Sequence, residues 1–255
     1  MVNEQGPFEP IAIIGMSCIL PDSPNIDEFW KNILSKHVSF KEVPKERWDP
    51  VDFYNEEKME NKTYSKIGAF VDKYEFDWRR WRQPPGTLPQ IDICQQWAVS
   101  VSASALEHAG YLGTEDSKIP KEKTSVIFAN ALGGENRNLS NHRVWAGRTL
   151  RLAKESGLQN EEQFLDDITK NLPKIDEDTM PGELANVVAG RVANLLDLQG
   201  PNYTTDAACA SSMAAILDAC RLLQLRQVDM AIAGASDRTM DPATYAKFSA
   251  IGALS

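Results

Sequence analysis

The sequence predicts an α/β layered protein on three observations: short β-branched or apolar runs of strand length, longer runs with a helical repeat of apolar residues, and the alternation of the two along the chain. Ile11–Ile14 reads as the first strand and Ile26–Leu34 as a helix beginning near Asn25. Residues 40–90, dense in Pro, Trp and charge, read as long irregular connections. Gln95–Ala109 reads as a helix closed by Gly110 in a left-handed cap. Thr124–Ala129 is a short β-branched strand, and Gly133-Gly134 after it is a turn. That turn is not a phosphate cradle, because neither G-x-G-x-x-G nor G-x-x-x-x-G-K-[ST] is present.

Residues 135–178 are polar and read as an excursion with helical pieces at Val144–Glu155 and Glu161–Asn171. Pro181 suits the first position of a helix running to about Leu196, with Leu184, Val187, Val188, Arg191, Val192 and Leu195 on or beside one face. Gly200-Pro-Asn202 is a turn, and Tyr203–Thr205 supplies the aromatic and β-branched residues of a short strand. Val228–Ala235 reads as a buried strand, apolar except for Asp229. There is no internal repeat.

The stretch Asp206-Ala-Ala-Cys-Ala-Ser-Ser212 sets one thiol, Cys209, between the strand at 203–205 and the first turn of the next helix. From Cys209 on, Met213, Ile216, Leu217, Cys220 and Leu223 recur on one helical face, which Leu222 and Leu225 widen. The helix is therefore expected to be buried on most sides. At a helix start the backbone N–H groups lack intrahelical partners and the macrodipole presents roughly half a positive charge, so a thiolate is favoured relative to the free-thiol pKa of about 8.5. The same N–H groups can hold an oxyanion. The small neighbours Ala207, Ala208, Ala210, Ser211 and Ser212 leave room for a bulky substrate. A lone cysteine among alanines is also the pattern of a small buried core residue, and these residues alone leave both readings open.

Composition bounds the answer. At 255 residues, with 42% hydrophobic and 25% charged residues, the chain can bury a sizeable core and is neither disordered nor fibrous. A net charge of -9 argues against nucleic-acid binding, which needs a basic footprint. Trp78-Arg-Arg-Trp-Arg82 interleaves aromatics with arginines; it can stack on bases, sit at an anionic surface, or cap a packed loop, and the last is the simplest. No hydrophobic run reaches the roughly 18 residues of a membrane span. The Met1-Val-Asn-Glu-Gln start lacks the basic-then-apolar pattern of a signal peptide, which points to a cytoplasmic protein. The four cysteines, at 18, 94, 209 and 220, include no C-x-x-C pair, so disulfides and zinc are not expected, and Cys18, Cys94 and Cys220 read as core filler. The apolar last residues, Phe248–Ser255, look cut in the middle of a fold.

The segment Asp206–Ser212 resembles the nucleophile motif of β-ketoacyl synthases, the Claisen-condensing enzymes of fatty-acid and polyketide assembly, in which a D-x-A-C-[SA]-S-S pattern carries the acyl-accepting cysteine. Other stretches match that family in order: Ile11–Pro21 followed by Phe29-Trp30, Glu42–Asp49, Ala105–Gly110, Ala189–Ala193 and Ala231–Ser236. Met180–Asn186 and Gln83–Gly86 are similar to polyunsaturated fatty acid and glycolipid synthases, whereas Asp92-Ile-Cys-Gln-Gln96 stands where modular polyketide synthases usually carry D-P-Q-Q.

The resemblance implies a thiolase-like layered αβα fold of two similar halves, of which residues 9–255 are the N-terminal half behind a leader at 1–8. It implies Cys209 as the catalytic nucleophile, a homodimer with the strand at 203–205 beside the two-fold axis, no directly bound cofactor, and no metal. Substrates arrive on the phosphopantetheine arm of an acyl carrier protein. Arg79, Arg80 and Arg82 are then candidates to dock that acidic carrier. The family's two histidines stand in H-G-T-G-T-like and G-H contexts, and His37, His108 and His142 match neither. The chain is accordingly expected to be the N-terminal portion of a longer multidomain enzyme. Two rivals stand beside this reading: a non-condensing scaffold or partner protein, and a thiolase-fold acyltransferase or hydrolase that uses acyl-cysteine without decarboxylation.

Overall fold

The computed structural model describes residues 9–113 and 118–255. The expected leader, residues 1–8, lies outside the described residues. In chain order the elements are α1 (Ile26–Ser35), β1 (Lys41–Glu42), α2 (Pro50–Phe53), β2 (Ile67–Gly68), α3 (Ile93–His108), β3 (Thr124–Ala129), α4 (Asn136–Glu155), α5 (Glu161–Thr169), α6 (Thr179–Glu183), α7 (Val187–Leu195), β4 (Asn202–Thr205), α8 (Ser211–Gln224), β5 (Met230–Ala235) and α9 (Pro242–Ala250). They fall into two compact units.

The first unit takes residues 9–12, Asp77–Ser100 and Lys118–Arg238, and holds a parallel three-stranded sheet of order β4-β3-β5. In register, Ala129 of β3 faces Thr205 of β4 and Ala235 of β5, so the three carboxyl ends lie at one rim. Every residue of β3 is buried. A central parallel strand is covered on both faces, which is why Thr-Ser-Val-Ile-Phe-Ala shows no polar alternation. Ile127 and Ala129 pack on Ala215 and Ala219 of α8, while Val126 and Phe128, pointing to the opposite face, are fully buried as well. α8 lies on β3 and β5, and α7 on β3 and β4.

The second unit takes Ile13–Phe76, residues 101–113 and Thr239–Ser255. Its core is Val43, Trp48, Phe70 and Tyr245, with Phe53, Met240 and Leu254 packed against them. The Trp48 and Tyr245 rings meet edge-on at 5.2 Å, Trp48 Nε1 donates to the Met240 carbonyl, and the Tyr245 hydroxyl donates to that of Ile67. These contacts give the Pro- and Trp-rich connections of residues 40–70 a core despite their little regular structure. α1 begins as expected, with the Asn25 side chain accepting from Glu28 N–H at 2.9 Å and Asp27 and Glu28 in the first turn.

Several expectations need correction. Ile11–Ile14 is not a strand: both sheets are made without it, and with no ladder to join, Ile13 is 81% exposed. α4 begins at Asn136, eight residues before the expected start at Val144, because Asp92 supplies from elsewhere in the chain the acceptor that the local sequence lacks. The continuous helix from Pro181 to Leu196 is broken at Leu184–Asn186 into α6 and α7. Gln95 explains the break, since its amide donates to the carbonyls of Pro181, Gly182 and Leu184 and satisfies groups that a continuous helix would have used internally. β5 is an edge strand and only partly buried. Finally, α8 is not buried on most sides: the buried positions are Ser211, Ala215 and Ala219, and Met213, Ile216 and Leu217 are exposed.

Candidate active site

Cys209 stands at the carboxyl rim of the parallel sheet. β4 ends at Thr205, Asp206-Ala207 leads out of it, and Cys209 is the middle residue of a single 3-10 turn, Ala208–Ala210, on which α8 begins at Ser211. In parallel α/β sheets the strand ends open onto helix starts, and ligands bind outside that rim. The thiol is exposed, in contrast to Cys94, which is buried, and to Cys18 and Cys220, which are half-buried; all four are free. It is not the sealed core residue that the local sequence left open.

The turn is held from below by two polar residues of the motif. The Asp206 carboxylate accepts from Ala208 N–H at 2.8 Å and from the Ser211 hydroxyl at 3.4 Å. Ser211, buried, shares its one hydroxyl hydrogen chiefly with the Ala208 carbonyl at 2.7 Å and accepts from Ala207 N–H at 2.8 Å. These bonds force Ala208 into the left-handed region, φ 51°, immediately before the thiol. A non-glycine residue there costs of order 1 kcal/mol or more and persists only where the surroundings over-determine it. The result is a sharp strand-to-helix elbow with Cys209 at its middle.

The other two strand ends close the rim. Asn130, just past β3 and buried, donates its backbone N–H to the Thr205 carbonyl and its side-chain amide to the Ser236 carbonyl at 2.8 Å, and accepts from Gly133 N–H at 2.6 Å. Gly133 and Gly134 both have positive φ, 82° and 97°, as the turn reading requires. At Gly134 a Cβ would land on the Asp92 carboxylate, so the position demands glycine for space as well as conformation.

A buried polar network that the sequence reading missed lies in the same unit. Asp92, fully buried, accepts from the N–H groups of Cys94 and Asn136 at 2.8 and 2.9 Å, capping α3 and α4 together. Gln95, also fully buried, accepts from Arg191 Nε at 2.6 Å while bonding the α6–α7 break. Burial pulls the Arg191 pKa down, against the opposing pull of Asp178. Burial, and then Asp92, push the Cys94 thiol up, which keeps it neutral and inert. The signal was present as an Asp and a Gln three apart at the head of an apolar run, where an unpaired polar group costs too much to be accidental.

The remaining candidates are accounted for locally. Arg79 lies over the Trp78 ring at 4.3 Å and Arg80 over Trp81 at 4.6 Å, Gln83 N–H closes the turn on the Trp78 carbonyl, and Arg79, Arg80 and Arg82 are exposed. His37 pairs with Asp22 at 3.0 Å, His108 Nδ1 accepts from Met16 N–H, and His142 is exposed on α4. Among the described residues no histidine hydrogen-bonds to the 206–212 turn. No group of metal-ligating side chains occurs among them, nor any helix long and apolar enough to cross a membrane.

Known proteins give this geometry a context. The profile of the family described as "Beta-ketoacyl synthase, N-terminal domain" matches residues 8–255. The chain is 29% identical over 246 residues to a polyunsaturated fatty acid synthase polypeptide of Thraustochytrium sp., covering 94% of this chain and 8% of that protein. It is 30% identical over 251 residues to a phenolphthiocerol/phthiocerol polyketide synthase polypeptide of Mycobacterium tuberculosis, covering 97% of this chain and 14% of the relative. The chain thus spans a small fraction of the length of these relatives. Among solved structures, an oxazolomycin ketosynthase domain from Streptomyces albus JA3453 superposes with a TM-score of 0.73 at 24% identity, over 95% of this chain and 37% of that one. A ketosynthase from the bacillaene synthase of Bacillus subtilis gives 0.69 at 22% identity, over 96% and 34%. At these identities the likeness establishes the fold, which is the thiolase-like α/β fold of ketosynthases.

Proposed function

The chain belongs to the β-ketoacyl synthase family through its N-terminal domain, and on that premise we propose that Cys209 is the acyl-accepting nucleophile of a condensing enzyme. The observation that carries the proposal is the exposed thiol on a strained elbow between a parallel strand and the start of α8. A thiolate at that point attacks the carbonyl of an acyl thioester. The oxyanion of the tetrahedral intermediate accepts from backbone N–H donors at the helix mouth, for which the N–H of Cys209 is the candidate, and the carrier thiol leaves with a proton. Residues 9–255 then act as the nucleophile-bearing half of a two-half fold. The second step joins the acyl-cysteine to a carbanion formed by decarboxylation of a malonyl-type extender, giving a 3-ketoacyl product. That step needs further polar groups at the departing carboxylate, and none of His37, His108 or His142 is assigned to it.

The relatives are parts of multidomain synthases, in keeping with acyl groups delivered on the phosphopantetheine arm of a carrier protein. A homodimer built across β4 fits that strand's position at the sheet edge. The test is intact-mass spectrometry after incubation with an acyl thioester of pantetheine. One acyl group should add to the parent protein and none to Cys209→Ala, in which Cys18, Cys94 and Cys220 remain. An adduct that survives the substitution, or forms on another cysteine, overturns the assignment.

A further inference from the structure

The elbow turns at Ala208, a non-glycine residue held at φ 51°, and the peptide that follows it carries the N–H of Cys209. One side chain bonds the backbone on both sides of that residue. The buried Ser211 hydroxyl accepts from Ala207 N–H at 2.8 Å on the amino side and donates to the Ala208 carbonyl at 2.7 Å on the carboxyl side. Asp206 reaches the amino side alone, accepting from Ala208 N–H at 2.8 Å. The backbone adds a bond from Ala210 N–H to the Ala207 carbonyl and one from Ser211 N–H to the Ala208 carbonyl, and Ser211→Ala keeps both. None of these bonds uses the N–H of Cys209.

The Ala208–Cys209 peptide is planar and trans, so its C=O and N–H point in opposite directions. Drawing the carbonyl in toward Ser211 therefore turns the Cys209 N–H out of the clamp, away from Ser211. We infer that Ser211 is a positioning residue: its hydroxyl straps the left-handed Ala208 and so fixes the direction of the Cys209 N–H, the candidate donor to the oxyanion. The inference rests on the reading of Cys209 as the acyl-accepting nucleophile. Without the hydroxyl, Ala207 N–H loses its acceptor and the Ala208 carbonyl keeps only its backbone bond, while the left-handed region stays unfavourable for alanine. Relaxation of Ala208 toward negative φ then rotates the peptide that carries the donor. Loss of an oxyanion donor costs on the order of 100–1000-fold in rate, so a donor turned partly away is expected to cost about tenfold or more.

The experiment compares two reactions of the same thiol in the intact protein at one pH. Acylation by an acyl thioester of pantetheine passes through an oxyanion, whereas alkylation by iodoacetamide displaces iodide from carbon and forms none. The ratio of the two rates at Cys209, followed by peptide mass, cancels changes in thiolate fraction and in folded fraction and reads the donor. Expected is a ratio at least tenfold lower in Ser211→Ala than in the parent. Adding Ala208→Gly to Ser211→Ala should recover at least threefold, because glycine takes the left-handed conformation without penalty. A smaller fall in Ser211→Ala overturns the inference, even where both rates drop together, and so does a lowered ratio that Ala208→Gly does not recover. If neither variant folds, Ser211 is a determinant of folding and the positioning role is likewise overturned. A parent that is alkylated at Cys209 but takes up no acyl group defeats the nucleophile assignment instead.

Discussion

Replacing Gln95 with leucine probes the tertiary device that breaks the α6–α7 helix. The substitution is close in volume but removes every polar contact of a fully buried amide. Lost are the 2.6 Å bond from Arg191 Nε and the bonds to the carbonyls of Pro181, Gly182 and Leu184 at 3.0, 3.0 and 3.3 Å. The bond to a charged group is worth about 1.5–3 kcal/mol and the two amide hydrogens about 1 kcal/mol each, so the loss amounts to about 4 kcal/mol. At about 2–4 °C per kcal/mol for a chain of this size, the melting temperature should fall by about 10 °C. Denaturant midpoints at constant m-value, with thermal melts, read the effect. In Gln95→Leu the arginine is left in a half-buried site without its acceptor, so adding Arg191→Met should recover at least half of the loss. A single variant within about 1 kcal/mol of the parent, or a double variant that is merely additive, would refute the view that this network determines the break.

Two other outcomes follow from the same interior. Since burial and Asp92 raise the Cys94 thiol while its unfolded counterpart ionises near the ordinary value of about 8.5, the native state holds the proton to higher pH. Stability should therefore be unaffected by this group below about pH 8.5 and fall as pH rises above it; Cys94→Ala should flatten that alkaline slope, and an unchanged slope between pH 8.5 and 10 would count against it. At Gly200 a Cβ would collide with the Thr124 carbonyl where β4 comes alongside β3, so Gly200→Ala should cost about 1–3 kcal/mol by urea titration, and a neutral result would show that the two strand starts can separate freely.

Much of the candidate site was legible because its signals are local. The strand at Thr124–Ala129, the caps at Asn25 and Gly110, the Gly133-Gly134 turn and the start of α8 each depend on residues within a few positions of one another. The early start of α4 and the break between α6 and α7 were not legible, because Asp92 and Gln95 act from 44 and about 90 residues away. The apolar run at 11–14 misled for the complementary reason: it has the composition of a strand, and composition cannot supply a partner ladder.

From the sequence alone came the α/β class, the family and the thiol proposed as nucleophile, since these rest on short-range pattern: which residues alternate, which cap, and which small side chains surround a cysteine. Only the folded chain decided that this thiol is exposed while Cys94 is sealed, and that one asparagine ties together three strand ends. The reason is that burial and hydrogen-bond partnership belong to pairs of residues brought together across many tens of positions, whereas propensity belongs to each residue and its immediate neighbours.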